Sequence, residues 1–568
     1  MQSSWNFKLL NTDEKQLDVV RQKNESFAAK WKDREDYLSD PQILQKALLE
    51  FDDLQKHYGT TGDLGYYWGL REALDQSDPK IKAENNRLEE LAVKLHNQNQ
   101  FFLLKLSKIS PNQQEVFLES NLLIDFKHFL EHLFATGKYT LSDAEEKILN
   151  LKNLSSHSNW VRMTSQFVSE EKIKNRTLEE YLSDLQLPNR NTRKNAGLAI
   201  NKILNNNVKI AEHELNAILG DKKVNDDLRG CTRPDQIRHL ADDIDSDVVD
   251  AMLEAVNSKF SLAHKFYATK AKLLGLSKLD YWDRGAPIED VDTPYSYPKS
   301  VKLVSNVFGK LDPQFKSIFD SFVTNGQIDV YPRVGKRGGA FCAIERPTQP
   351  TYIMLNHKDN LRDVLTLAHE AGHGINNELM KSQKYALNFG SPLCTAEVAS
   401  TFMEDFVLQS LSKNKGLLMK KLDDDISTIF RQVSAYRFEQ ELHVTFRKKG
   451  YLAKEEIGEI FRKHMASYMG PAVRQNPGSE NWWVYWSHFR SFFYVYSYAS
   501  GLLISKALQN KVKQDPKFIV QVKKFLSAGA SDSPKNIFKN LGVDITDKNF
   551  WLSGLSEIET THSNVLKF

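Results

Sequence analysis

Two histidines and a glutamate within one short stretch of the chain could hold and use a metal ion. The segment Leu361–Ser382 contains His369, Glu370 and His373 in the pattern HExxH. Apolar residues recur there every three to four positions, which predicts a helix. Side chains at i and i+4 leave the same face of a helix, so both imidazoles could bind one ion while Glu370 reaches a water molecule on it. The pattern also arises by chance, and the alternative is an amphipathic helix whose histidines bind no metal.

A third ligand is available shortly afterwards. Glu397 lies in the segment Ala396–Asp405, whose apolar residues also have helical spacing, and a Gly-Ser-Pro sequence at 390–392 separates it from the first helix. An antiparallel helix pair would bring this carboxylate opposite the histidines. Two His and one Glu leave the fourth position of Zn²⁺ for water, as in catalytic sites. We therefore predict one Zn²⁺ per chain. Glu404, two helical turns later, is predicted to orient a ligand histidine by accepting its hydrogen bond; the alternative is a surface carboxylate.

A small β-sheet is predicted immediately before the metal-binding helix. Between residues 326 and 357 the apolar pattern changes to that of short strands, and one of them contains Gly339, Ala340 and Phe341. An exposed edge strand beside a metal can pair with an extended peptide through main-chain hydrogen bonds, without demanding one side-chain sequence. We predict that these three residues bind substrate. The alternative is a hairpin that only supports the helix.

A stretch dense in aromatic residues, at about 482–501, could supply further catalytic groups. His488, Tyr494 and Tyr498 could donate hydrogen bonds to the oxyanion of a tetrahedral intermediate, although many aromatic residues here must belong to the core. Tyr494 and Tyr498 share one face of a helix predicted over Ser491–Ser505, and His488 must then lie on a turn before it. This apolar run has 15 residues, whereas a membrane-spanning helix needs about 20, so we predict a buried helix.

Composition narrows the class of protein. The chain has 568 residues and a formal net charge of +3, which gives no indication of a nucleic-acid partner. Its three cysteines are widely spaced, which excludes a disulfide framework and favours a reducing compartment. The amino terminus lacks the basic and apolar regions of a signal peptide. We therefore expect a cytoplasmic protein that does not associate with membranes.

The order of predicted elements suggests two parts. Residues 1–190 are predicted to form an amino-terminal helical lobe with no cluster of catalytic residues. Residues 191–568 are predicted to form the catalytic domain, with the metal-binding helices at about 361–412. The predicted fold class is mainly α, with the small sheet next to the HExxH helix.

Several stretches together resemble the M3 family of zinc metallopeptidases, and specifically its oligoendopeptidase F branch. The resemblance covers roughly residues 191 to 568, and the stretches occur in the order found in that family. They are YPRVGKRGGAFCA (Tyr331–Ala343), TLAHEAGHGIN (Thr366–Asn376), AEVASTFMED (Ala396–Asp405) and HFRSFFYVYSYASG (His488–Gly501).

The resemblance implies a fold and a set of roles. It implies two helical lobes around a deep substrate channel, with a zincin-like metal site at its floor. His369, His373 and Glu397 match the zinc ligands, and Glu370 matches the general base. The residues matched to substrate and transition-state contacts are His488, Tyr494, Tyr496 and Tyr498, and the three tyrosines compete for one role. This chain departs from many relatives at Asn376, where they have a histidine.

These inferences predict a zinc-dependent endopeptidase that hydrolyses internal bonds of short oligopeptides, with a zinc-bound water activated by Glu370. One alternative is a peptidyl-dipeptidase of the angiotensin-converting-enzyme type, which requires a cationic pocket for the carboxylate at the end of the substrate. The other alternative is a peptide-binding protein without catalytic activity. The sequence does not predict an oligomeric state.

Overall fold

The computed structural model describes residues 2–288, 294–411 and 415–567. The end of the predicted metal-helix region, at 412, lies outside these residues. Helices dominate the described chain. Those of the amino-terminal part are α1 (Lys15–Trp31), α2 (Pro41–His57), α3 (Gly62–Leu74), α4 (Pro79–Asn99), α5 (Phe101–Ser107), α6 (Pro111–Glu119), α7 (Lys127–Gly137), α8 (Asp143–Asn153), α9 (Asn159–Glu170) and α10 (Leu178–Asp184).

Six further helices lead to the sheet. They are α11 (Arg190–Leu228), α12 (Gln236–Ala241), α13 (Ser246–Ser258), α14 (Phe260–Leu273), α15 (Tyr297–Leu311) and α16 (Pro313–Thr324). After the sheet come α17 (Leu361–Met380), α18 (Val398–Ser410), α19 (Lys415–Ile426), α20 (Gln432–Lys449), α21 (Lys454–Met469), α22 (Tyr496–Gln514), α23 (Ile519–Ala528), α24 (Pro534–Asn540) and α25 (Lys548–Val565). Two π-helical turns interrupt this pattern, at Leu154–Ser158 and Ser427–Arg431.

The small sheet has three short strands, β1 (Ile328–Asp329), β2 (Phe341–Ala343) and β3 (Tyr352–Met354). Their order is β1-β3-β2, with β1 parallel and β2 antiparallel to β3. Strand β2 therefore lies at an edge of the sheet. The mainly helical fold class, with a small sheet next to the HExxH helix, is confirmed.

The buried apolar residues form several clusters. One runs from Phe27 to Phe134, a much larger one runs from Val168 to Val565, and a smaller one joins Trp5 and Tyr66 to Tyr352 of the sheet. The larger cluster already includes side chains of α9 and α10. It therefore begins before residue 190, where the sequence predicts the domain boundary. The division at 190 and the channel between two lobes stay predictions. Within the described residues, every helix is too short or too polar to cross a lipid bilayer.

The amino-terminal residues support the sheet. The Trp5 indole donates a hydrogen bond to the carbonyl of Ile353 at 2.8 Å, and the Tyr66 hydroxyl donates to the carbonyl of Ala343 at 2.7 Å. The Tyr352 hydroxyl donates to the carbonyl of Asn6 at 2.7 Å. These bonds, formed across nearly 300 residues or more, fix the sheet against α3 and the start of the chain.

Candidate active site

The three predicted metal ligands converge on one point. One ligand atom from each of His369, His373 and Glu397 lies within 4.8 Å of the other two. The Glu397 Oε2 atom is 3.3 Å from His369 Nε2 and 3.4 Å from His373 Nε2. Ligand atoms at about 2.0–2.2 Å from a tetrahedral Zn²⁺ are separated by about 3.3–3.6 Å. The observed spacing therefore fits an ion with this ligand set.

The charges around the cluster favour the protonated form of His369. Burial acts to lower the pKa of His369, but hydrogen bonds with Glu397 and Glu404 outweigh it and raise that pKa to about 10. Burial likewise acts to raise the pKa of Glu397, and the two histidines reverse this and lower it. A histidine must lose such a proton before it binds a metal, so metal binding at this cluster would release protons.

Two helices place the ligands by close backbone packing. Helix α17 begins at a capping box, in which Asn360 and Asp363 each accept a backbone N–H of the other. Helix α18 runs antiparallel to α17, because residues later in α17 contact residues earlier in α18. His369 contacts Glu404, whereas Gly372, further along α17, contacts Ser400. A Cβ atom built on Gly372 would lie only 2.6 Å from the Cα atom of Ser400. Glycine at this position therefore permits the approach that brings Glu397 to the histidines.

Glu397 lies at the start of α18 rather than inside it. The sequence predicts a helix over Ala396–Asp405, but α18 begins at Val398, and Glu397 is its N-cap residue. The Ser400 hydroxyl donates to Glu397 Oε2 at 2.8 Å, which holds the carboxylate in place. Gly501 of α22 packs against the same residue, because an added Cβ would lie 3.0 Å from the Cβ of Glu397.

Glu404 lies behind His369. Its Oε2 atom is 3.0 Å from His369 Nδ1, which leaves Nε2 of that ring for a metal. Its Oε1 atom accepts a hydrogen bond from Lys421 at 3.1 Å. No sequence motif links Lys421 to Glu404, 17 residues away, so this contact could not be predicted from the sequence.

The Lys421 ammonium belongs to a buried group of charges. It lies 3.0 Å from Asp405 and 3.6 Å from Asp425. Lys506 contacts the same two carboxylates at 3.0 and 2.8 Å. The four side chains are almost entirely inaccessible to solvent.

Glu370 faces an open cavity next to the ligand cluster. Its side chain is buried, and this burial raises the pKa of its carboxyl group above the ordinary value. The cavity has a volume of about 450 Å³, and its lining includes His369, His373 and Glu397 as well as Glu370. A carboxyl group with a raised pKa beside bound water is suited to accept a proton and return it.

The predicted substrate-binding residues lie along this opening. Ala340 and Phe341 line the same cavity as Glu370, and Gly339 and Ala340 line a second one of about 580 Å³ that also reaches Glu370. Only Phe341 belongs to β2; Gly339, with φ at +78°, and Ala340 precede the strand. An extended peptide could pair with this edge directly beside the ligand cluster.

His488, Tyr494 and Tyr498 form a cluster of their own. His488 Nε2 is 3.1 Å from the Tyr498 hydroxyl, and the rings of Tyr494 and Tyr498 are 5.6 Å apart. Burial raises the pKa of Tyr498, and the negative charge of Glu397 contributes to this rise. Gly501, one turn after Tyr498, packs on Glu397, so the cluster lies near the ligands. Its members are not among the residues that line the 450 Å³ cavity.

Tyr496 is located in the core instead. Its side chain has no accessible surface, and its hydroxyl donates to Asp242 Oδ2 at 2.8 Å. This burial argues against the predicted contact between Tyr496 and substrate. Helix α22 begins at Tyr496, so Tyr494 precedes it, whereas the sequence predicts both Tyr494 and Tyr498 within one helix.

A strained turn separates His488 from the tyrosines. Phe492 and Phe493 have φ angles of +39° and +58°, which bulky residues rarely adopt. Glu439 Oε1 accepts the N–H of Phe493 at 2.9 Å. Arg238 donates to the carbonyls of Phe492 at 3.3 Å and Ser491 at 3.0 Å. These contacts stabilise positive φ angles that phenylalanine disfavours. No local pattern in the sequence predicts this turn.

Asn376, the departure from many relatives, has a structural partner. Its side chain is buried and donates to the carbonyl of Leu526 at 2.8 Å, which ties α17 to α23. It does not belong to the ligand cluster.

Family models and individual relatives match this chain over most of its length. A sequence model of the family described as "Peptidase family M3" matches residues 184–557, and one described as "Oligopeptidase F" matches residues 105–171. An oligoendopeptidase F homologue of Borreliella burgdorferi is 28% identical over 537 residues, which cover 89% of each chain. One from Lactococcus lactis is 25% identical over 85% of this chain and 84% of its own. The crystal structure of oligoendopeptidase F from Enterococcus faecium superposes with a TM-score of 0.70 and 18% identity over 98% of each chain.

Proposed function

This chain belongs to peptidase family M3, in its oligoendopeptidase F branch, and on that basis we propose that it is a zinc-dependent endopeptidase of short oligopeptides. The observation that carries the proposal is the convergence of His369, His373 and Glu397 at ligand distances, with Glu370 on the same cavity. The donor set of two imidazoles and one carboxylate is the one that leaves Zn²⁺ a position for water. When bound, the ion would polarise the scissile carbonyl and lower the pKa of a coordinated water to about 7.

The protein's own groups would act in sequence. Residues 339–341 would hold an extended peptide by main-chain hydrogen bonds, which recognise a backbone rather than one side chain. Glu370 would accept a proton from the attacking water, and would then pass that proton to the leaving amine. The raised pKa of Glu370 supports the first transfer, since it reduces the cost of protonating the carboxylate. Glu404 would keep His369 oriented throughout.

His488 and Tyr498 are the proposed donors to the oxyanion. They are hydrogen-bonded to each other at 3.1 Å, and Gly501, one turn along α22, packs on Glu397. Hydrogen-bond donors preorganised toward developing charge can supply several kcal/mol of stabilisation. Tyr494, whose ring contacts both of them, is the alternative donor.

The three cysteines form no disulfide, which supports a reducing compartment, and we propose the cytoplasm.

Hydrolysis of unrelated peptides of 6 to 15 residues, read by mass spectrometry, tests this function. We expect internal cleavage that a chelator abolishes and added zinc restores. Glu370→Gln should retain zinc and lose about 10³-fold in rate, because a general acid and base is removed. Glu459→Gln, an exposed position on α21, is the matched control and should leave the rate unchanged.

Three outcomes would contradict the proposal. Near-normal turnover by Glu370→Gln would refute its catalytic role. Strict release of carboxy-terminal dipeptides would indicate a peptidyl-dipeptidase. Peptide binding without cleavage under any metal condition would indicate a binding protein.

A further inference from the structure

Asn356 lies between the sheet and the residues proposed to bind substrate. It follows β3 by two positions, its side chain is partly buried, and it lines the second cavity that reaches Glu370. Its amide nitrogen Nδ2 donates hydrogen bonds to two carbonyl groups, that of Gly339 at 2.7 Å and that of Arg337 at 2.9 Å. One side chain therefore fixes the backbone on both sides of Gly338.

The side chain of Asn356 continues the pairing between β2 and β3. In this antiparallel pair Phe341 lies opposite Met354. The same register, continued by two residues, places Asn356 opposite Gly339. Both strands have ended at this point, so the side-chain amide takes the place of a backbone donor in the ladder. The edge of the sheet is thereby extended to Gly339.

The turn that precedes Gly339 is fixed at its start by a different part of the chain. The N–H of Arg337 donates to the carbonyl of Ala73 at 2.8 Å, and the carbonyl of Gly335 accepts the N–H of Gln76 at 2.7 Å. These two bonds attach the start of the turn to the end of α3 and the residues after it. The end of the turn, next to the cavity, depends on the side-chain amide.

The orientation of the Gly339 carbonyl decides where the next N–H points. The described chain contains no cis peptide bond, and in a planar trans peptide the C=O and N–H groups point in opposite directions. Because the Gly339 carbonyl points toward Asn356, the N–H of Ala340 points away from it. Ala340 lines both cavities that reach Glu370, and no acceptor among the described residues bonds its N–H. This donor is therefore available to a carbonyl group of a bound peptide.

The space beside this peptide group is open. Gly339 has a φ angle of +78°, which residues with a side chain rarely adopt, and a Cβ atom built on it would have no atom within 4 Å. A Cβ atom built on Gly338 would also have none. A peptide backbone can therefore approach this face closely, as a hydrogen bond from Ala340 requires.

We propose that Asn356 is a positioning residue for the substrate. It holds the Gly339 carbonyl and thereby directs the Ala340 N–H to one carbonyl group of the bound peptide. This inference rests on the proposed peptidase function and adds to it the residue that sets the geometry of main-chain recognition. An Asn356 that only stabilised the turn would affect all peptides alike.

Peptides with one altered bond test the proposal. In each peptide of the series, one peptide bond other than the cleaved one is replaced by an E-alkene, which keeps the extended shape and lacks the carbonyl acceptor. A hydrogen bond is worth about three- to tenfold in affinity. We expect the wild type to lose about that factor in kcat/KM for each replaced carbonyl that the sheet edge binds.

Variants assign one of these losses to Asn356. Asn356→Asp has the same shape but no donor, so it releases the Gly339 carbonyl. One particular replacement should then cost nothing, whereas the costs at the other positions and the zinc affinity should equal those of the wild type. Asn356→Ala should give the same result, and it serves if the Asp variant does not fold. Asn97→Asp, at an exposed position of α4, is the matched control and should keep every cost.

The same peptides are also measured for binding to Glu370→Gln, with and without the change at Asn356, by fluorescence anisotropy. A position-specific loss of affinity that Asn356→Asp removes, without turnover by the unmodified enzyme, would keep this inference and reject the proposed catalysis. Cleavage by the wild type with no sensitive position would overturn the inference and keep the catalysis. Asn356→Asp would also overturn the inference if it left the cost of every replacement unchanged, whatever its effect on the overall rate.

Discussion

Replacement of Gly372 by alanine tests whether backbone packing between α17 and α18 builds the proposed metal site. Gly372 lies between the two ligand histidines, one residue before His373. An added Cβ would lie 2.6 Å from the Cα of Ser400 and 2.7 Å from the carbonyl oxygen of Ala399. Both are backbone atoms of α18, so no side-chain rotation relieves the contact.

The size of the effect follows from these distances. Ordinary van der Waals contact begins at 3.4 Å, so the two backbones must separate by about 0.8 Å. Glu397 lies three residues before Ser400, and this separation would lengthen its 3.3 and 3.4 Å distances to the histidines. Overpacking costs about 1–3 kcal/mol of stability, partly offset by about 1 kcal/mol from the better helix propensity of alanine. A misplacement near 1 Å can cost about 10²-fold in rate.

We therefore expect Gly372→Ala to fold, to bind zinc at least tenfold more weakly, and to lose about 10²-fold in kcat/KM at saturating zinc. Chelator competition measures the zinc affinity, and thermal unfolding of the metal-free protein measures stability. Gly69→Ala is the matched control, because Gly69 lies within α3 with no atom within 4 Å of the added Cβ. Its zinc affinity and rate should equal those of the wild type, and its stability should be equal or higher.

Zinc affinity and kcat/KM of Gly372→Ala within twofold of the wild type would refute this reasoning. Such a result would mean either that α18 moves while Glu397 keeps its distance to the histidines, or that the two helices accommodate the added methyl group without separating near Glu397. Lower stability with normal zinc affinity would show that the contact serves packing alone.

Two further predictions concern buried carboxylates. Glu404→Ala should weaken zinc binding about 10- to 100-fold, because His369 Nδ1 loses its acceptor; unchanged affinity in chelator competition would reject this orienting role. Burial raises the pKa of Glu439 to about 8, so the folded state keeps a proton that the unfolded chain loses above its ordinary pKa of about 4.3. The contribution of Glu439 to the free energy of unfolding should then fall as pH rises from about 4.5 to 8, and the advantage of Glu439→Gln should grow over this range to about 4–5 kcal/mol. Urea unfolding at pH 5, 6, 7 and 8 measures this difference, and a constant value would contradict the expected sign.

The convergence of the proposed metal ligands could be predicted because most of it is local. The i, i+4 spacing of His369 and His373 fixes their common face once the helix forms. Glu397 required one further assumption, an antiparallel helix pair, which the Gly-Ser-Pro break at 390–392 favours. The sequence did not reveal that Glu397 caps α18, since the periodicity of the segment extends before the first helical residue.

The His488 region could be predicted only in part, because its conformation depends on distant contacts. Periodicity predicts a helix over Ser491–Ser505, but α22 begins at Tyr496. The positive φ angles of Phe492 and Phe493 break the helix, and local propensity would not select them. Their partners, Glu439 and Arg238, lie 54 and 254 residues away along the chain. Separations of this length leave no trace in local periodicity.

The charges behind His369 show why a sequence can reveal a ligand without revealing what supports it. Burial alone would raise the pKa of Glu404, and a protonated Glu404 would be a poorer acceptor for His369 Nδ1. Lys421 and His369 reverse this and lower the pKa of Glu404. A lysine buried there is stable only if further carboxylates compensate it, and Asp405 supplies one at 3.0 Å. Lys506 in turn balances Asp405. The orientation of one ligand histidine therefore depends on ion pairs drawn from three helices, and only the folded chain brings these charges together.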